Sequence, residues 1–237
     1  MDERTGEPTF ERTMNDLVQI DPSTSVVLTI DLQRDYIDGT VSTRPVLQAE
    51  ADRVVSSTVR LLEAARRLGI PVVHAYATRR MVEVEQGLAF GGLRYILEGQ
   101  DKGLSQNAQT GVQHVPDRVM GSPQAEVHPA LLAESDVHVP TKKTLDSFLY
   151  SDLDLVLGRM FQPENLIIAG VNTDTCVYST TFSAANRGYR PIVVRDCCAS
   201  MRGVDRHEMA LTLMSRSMAW VFDLDELLAR IDPSAAG

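Results

Sequence analysis

Six short runs of apolar, largely β-branched residues recur along the chain, with helical patterns between them. They are "SVVLTID" (25–31), "IPVVHAY" (70–76), "DVHVP" (136–140), "NLIIAG" (165–170), "RPIVVRD" (190–196) and the shorter "AWVFD" (219–223). Strands that stay apolar without alternating are buried on both faces, which is the habit of parallel sheets. Residues 46–69 place apolar side chains at helical spacing and close on Gly69. Residues 151–160, the segment around Cys176 and residues 205–218 also read as helices. Alternating strands and helices of this kind predict an α/β fold: a three-layer α/β/α sandwich with an open, mainly parallel, six-stranded, Rossmann-like sheet.

The 237 residues, 43% of them hydrophobic, suit one domain with a full core. We expect residues 1–24 to form an N-terminal extension and residues 25–237 a single domain. Residues 77–126, irregular and rich in Gly, Gln and Asp, read as an insertion serving as a lid or interface arm. A net charge of -9 without any Lys/Arg run argues against nucleic acid or an anionic membrane as partner. No apolar run approaches the ~20 residues of a membrane span, and the charged N-terminus lacks the apolar core of a signal peptide. Three cysteines, two of them adjacent (Cys176, Cys197 and Cys198), make a poor disulfide framework and a poor zinc site, so a reducing cytoplasm is expected.

Open α/β sheets bind ligands beyond the carboxyl ends of their strands. Three such ends carry reactive side chains: Asp31 after the first run, Lys142 and Lys143 in "PTKKTLDSF", and Cys176 in "GVNTDTC". Taken singly, an aspartate there is as often a turn residue, a loop lysine is usually solvated, and a lone cysteine is more often a small buried hydrophobe. Together they suit a cysteine nucleophile. Asp31 would take the thiol proton and return it to a leaving amine, and a lysine ammonium would hold Asp31 and balance the charge. Thr173 reads as the N-cap of the cysteine helix. Amides in its first turn, that of Cys176 included, would receive an oxyanion. Asp174 is expected to face solvent. Cys197 and Cys198 read as core residues.

"VVLTIDLQRDY", "KKTLDSF" and "IIAGVNTDTCV" resemble the three signature segments of the isochorismatase-like cysteine hydrolase superfamily, and the likeness runs from about Ser25 to Asp223. The resemblance puts the catalytic aspartate on Asp31 and the nucleophile on Cys176. The family's lysine stands six positions before the motif phenylalanine, here Phe148, which selects Lys142. Counting back from Cys176 favours Lys143, but "GRMFQPEN" is one residue longer than the usual connection. The resemblance also implies a cis peptide at Val171–Asn172, with the Asn172 and Cys176 amides as oxyanion hole.

Members of the superfamily that bind a metal carry an Asp-x-His pair after the first motif. None follows Tyr36, and His74, His114, His128, His138 and His207 are scattered, so no metal and no cofactor are expected. The implied activity is hydrolysis of a small linear amide or ureido compound through a thioester, with ammonia released. Isochorismatase-type vinyl-ether cleavage and a silent binding or assembly role are the alternatives. Tyr36, Arg79, Arg94, Tyr95 and Arg202 are the candidate substrate contacts. The superfamily's habit implies a homodimer or homotetramer in which a neighbour's loop closes the pocket.

Overall fold

The computed structural model describes residues 10–42, 45–86 and 118–232. Six parallel strands form one sheet in the order β3-β2-β1-β4-β5-β6: β1 (Ser25–Ile30), β2 (Val72–Ala77), β3 (Val137–Lys142), β4 (Asn165–Val171), β5 (Arg190–Ala199) and β6 (Trp220–Phe222). The chain starts at the centre with β1, builds outward through β2 to β3, then returns to lay β4 on the other side of β1. The reversal falls between β1 and β4, so their carboxyl ends diverge into a crevice, the place where such sheets take ligands.

Burial on both faces explains the strand sequences. Along β1, Val26, Leu28 and Ile30 enter one core and Val27 the other. The first core lies under the helices Tyr178–Asn186 and Val204–Ser217, and the second under Gln48–Arg67 and Leu224–Ile231. Gln48–Arg67 buries Ala51, Val54, Thr58, Leu61, Leu62 and Ala65, the stripe its spacing predicts. Gly69, at φ 73°, ends it: its amide and that of Ile70 bond back to Arg66 and Ala65.

Four features differ from the sequence expectation. Helix Phe10–Leu17 lies within the expected extension and is tied to β6, with Asn15 Nδ2 donating to Val221 O (2.7 Å) and Trp220 Nε1 to Met14 O (3.1 Å). A final helix, Leu224–Ile231, follows β6. The helix expected over residues 151–160 is α-helical only at Leu153–Leu155. It then widens into π-helical turns over Val156–Phe161, closed by a bond from Gln162 N to Leu157 O (2.7 Å). A π turn takes up one extra residue without breaking the helix, which accounts for the long connection before β4. Finally, β5 bulges between Val193 and Cys198, which pair with Ile168 and Gly170 of β4. Past the bulge, Cys197 and Cys198 point into opposite cores, both fully buried. Most of the expected 77–126 insertion lies outside the described residues.

Close approach at the switch point depends on Gly170, which pairs with Ile30. A Cβ there would stand 2.4 Å from the Ile30 carbonyl oxygen and 2.8 Å from its Cβ. Both obstacles belong to a buried central strand that cannot yield. Gly170→Ala is therefore expected to destabilise the protein by ~1–3 kcal/mol or more, measured by urea unfolding; an unchanged midpoint would show that the two strands can part at no cost.

Candidate active site

The chain leaves β1 through Asp31, whose backbone is left-handed at φ 51°. Few residues other than glycine tolerate this region, aspartate being one that does, and such positions cluster at functional sites. The conformation turns the carboxylate inward. Asp31 Oδ1 accepts the amide of Ala77 (3.1 Å) at the end of β2, and Oδ2 accepts Lys142 Nζ (2.7 Å). Lys142 is the last residue of β3, two strands from β1, so its side chain spans the end of β2. It is 2% exposed. Its Nζ also donates to Cys176 Sγ at 3.4 Å. One buried ammonium thus bridges carboxylate and sulfur.

The adjacent lysine points elsewhere. Lys143 Nζ bonds the carbonyl of Thr78 (2.6 Å) and Glu83 Oε2 (2.9 Å). Strand alternation places successive side chains on opposite sides, and only Lys142 reaches the crevice.

Cys176 lies in a π-helical turn, Thr173–Val177, that leads into helix Tyr178–Asn186. The preceding Val171–Asn172 peptide is cis. The amides of Thr175 and Val177, which flank Cys176 in sequence, both donate to the Asn172 carbonyl at 3.1 Å. Asn172 therefore takes the N-cap position expected for Thr173, and its side chain makes no cap bond; instead its Oδ1 accepts the amide of Met201 (2.7 Å). Thr173 is buried, with its hydroxyl 2.8 Å from His207 Nδ1. Asp174, expected in solvent, is half-buried and accepts from Ser200 Oγ (2.7 Å) and Arg202 Nη1 (3.2 Å). The loop after β5 lies across the turn and draws these side chains toward itself.

Burial and charge oppose each other at this site. Desolvation alone would lower the Lys142 pKa, but the neighbouring Asp31 and Cys176 outweigh it and hold the ammonium above the ordinary lysine value. Burial pushes the Cys176 thiol up to about 11, Lys142 pulls it down and Asp31 pushes it further up. At neutral pH the resting sulfur is a thiol. Cys197 and Cys198 are raised too, mainly by burial, the latter to about 12.

The isochorismatase domain model matches residues 25–226. The chain belongs to the isochorismatase family. A protein of Pseudomonas chlororaphis described as a probable isochorismatase is 28% identical over 210 residues, spanning 88% of this chain and 87% of its own. A cysteine hydrolase structure from Pseudomonas syringae pv. phaseolicola superimposes with TM-score 0.68 at 23% identity, covering 92% of this chain and 96% of that one. The nicotinamidase/pyrazinamidase structure from Bacillus subtilis gives TM-score 0.63 at 22% identity, covering 84% and 100%. At these identities the two structures speak for the fold.

Around this isochorismatase-family core the other expected residues divide. Tyr36 is buried, and its electrostatic influence reaches Lys142. Its hydroxyl accepts from Arg118 Nη1, and the Arg118 guanidinium lies 5.1 Å from its ring centre. Arg118 is a residue the sequence reading missed. Its charge lowers the thiol pKa of Cys176 and stands 3.8 Å from Asp35. Arg79, also buried, joins the same wall through backbone bonds to Arg118 and Met120. Arg202 is spent partly on Asp174. Arg94 and Tyr95 lie outside the described residues.

The opposed charges give a test. Burial raises the Cys176 pKa towards 11, Lys142 lowers it and Asp31 raises it further. Alkylation of Cys176 by iodoacetamide should climb with pH with its midpoint near 11. In Asp31→Asn that profile should move to lower pH, and in Lys142→Met to higher pH. An Asp31→Asn profile that stays in place or moves upward would contradict this electrostatic picture.

Proposed function

We propose that this protein is a cysteine amidohydrolase acting on a small linear amide or ureido compound. The observation carrying the reading is the buried Lys142 ammonium, within bonding distance of both Asp31 and Cys176. A thiol pushed up to about 11 is no nucleophile on its own at neutral pH, so its proton must leave as the bond to carbon forms. Asp31 is the acceptor on the other side of the ammonium, and Lys142 balances the charge as it moves from carboxylate to sulfur.

The sulfur attacks the carbonyl carbon, and the resulting oxyanion rests on the amides of Asn172 and Cys176. Collapse expels the amine, protonated by Asp31, and leaves a thioester on Cys176. Asp31 then deprotonates a water molecule, which attacks the thioester. The acid departs and the proton returns to the thiolate. Each step uses one base, one cation and one pair of donors. Tyr36 and Arg118, whose charges act on Lys142 and Cys176, favour substrates rich in carbonyl or carboxylate oxygen.

One observation favours a second reading. The Pseudomonas chlororaphis relative is described as a probable isochorismatase, and hydrolysis of a vinyl ether needs an acid to protonate the double bond but no sulfur nucleophile. The two readings part at Cys176. Ammonia release should be screened across biuret, ureido acids, nicotinamide and short aliphatic amides. With the compound that responds, Cys176→Ala and Cys176→Ser should lose turnover by at least ~10³-fold with unaltered circular dichroism. Retained turnover in either variant would sink the amidase mechanism, and ether cleavage that survives alkylation would establish the second reading.

A further inference from the structure

The turn that carries Cys176 is held by one short segment, the loop and first helical turn that follow β5. Three successive side chains of the turn are gripped from that segment. Asn172 Oδ1 accepts the amide of Met201 at 2.7 Å. Thr173 Oγ1 lies 2.8 Å from His207 Nδ1. Asp174 accepts from Ser200 Oγ at 2.7 Å and from Arg202 at 3.2 Å. The outer two ties are partly exposed, whereas Thr173 and His207 are 0% and 2% exposed. His207 is itself fixed, one turn into helix Val204–Ser217, with its amide on the Gly203 carbonyl (3.2 Å).

We infer that His207 is a positioning residue: through the Thr173 hydroxyl it fixes the turn on which the Asn172 and Cys176 amides must converge on one oxyanion. The inference rests on the cysteine chemistry proposed above. With the ring proton on Nε2, the side facing Glu208 Oε1 at 3.8 Å, Nδ1 accepts the threonine proton. Thr173 follows Asn172 directly, and the Asn172 carbonyl gathers the amides of Thr175 and Val177 on either side of Cys176. A rotation of Thr173 therefore moves both donors relative to each other. The tie is buried at both ends, so it acts on alignment and leaves binding alone. Oxyanion donors lose most of their value when misaligned, because their contribution depends on being in place before charge develops.

Two reactions of the same sulfur separate this role from a structural one. Acylation by 4-nitrophenyl acetate passes through a tetrahedral oxyanion. Alkylation by iodoacetamide is a direct displacement that forms none. Both are followed on the intact protein at pH 9. Thr173→Val and His207→Leu should each slow 4-nitrophenol release roughly 10- to 100-fold, short of the ~10²–10³ seen when a donor is removed outright. Iodoacetamide should react within about twofold of the parent rate. The double variant should be no slower than either single one, because both remove the same bond. Thr173→Ser and His207→Asn, which keep a bonding partner, should recover most of the rate. Equal losses in acylation and alkylation, or no loss in either, would overturn the inference. If Cys176→Ser releases 4-nitrophenol as fast as the parent, the cysteine chemistry itself falls and this inference with it.

Discussion

A single buried ammonium organises the site. Lys142 gives up its hydration to stand between a carboxylate at 2.7 Å and a sulfur at 3.4 Å, and the arrangement holds only because both partners are fixed by backbone. Removing Asp31 would leave that ammonium in the interior without its compensating charge, which costs several kcal/mol. Conversely, the ammonium is what allows a carboxylate and a nascent thiolate to share one crevice. The chemistry proposed for the site is a transfer of one proton and one negative charge around a cation that stays still.

The sheet order makes that possible. Asp31 and Cys176 leave neighbouring strands, β1 and β4, at the point where the order reverses. Lys142 comes from β3 at the edge, and a long side chain is needed to cross the end of β2. A shorter cation would not reach. The left-handed backbone at Asp31 and the glycine at position 170 belong to the same requirement: one turns the carboxylate into the crevice, the other lets β4 close on β1. The loop after β5 then bears on the cysteine turn from the far side. The bulge in β5 shifts its register against β4 just before that loop, between Val193 and Cys198.

Much of this was legible in the sequence, because buried parallel strands are written as continuous apolar runs and their ends are where chemistry gathers. Asp31 and Cys176 could be picked out only together, as reactive side chains at the ends of two apolar runs. Lys142 could be told from Lys143 only through the motif phenylalanine, since counting back from Cys176 fails where a π turn absorbs a residue near Gln162. Thr173 and Asp174 were misread because the cysteine helix begins with a π turn instead of an α turn, which moves the N-cap to Asn172 and aims both side chains at the loop after β5. Arg118 had no signal at all. It sits in an irregular stretch and is delivered by a bridge between Arg79 and Val119 and by a φ of 49°. His207 looked like one of five scattered histidines, since its partner lies far away in the chain and no periodicity links the two.

The bridging ammonium can be observed directly by nitrogen-15 magnetic resonance of the lysine side chains, with Lys142 assigned by the signal that disappears in Lys142→Arg. The account predicts a protonated Nζ protected from solvent exchange at neutral pH, whose chemical shift responds both to Asp31→Asn and to Cys176→Ala. A Lys142 signal that is a neutral amine at pH 7, or one that ignores the removal of either partner, would contradict it.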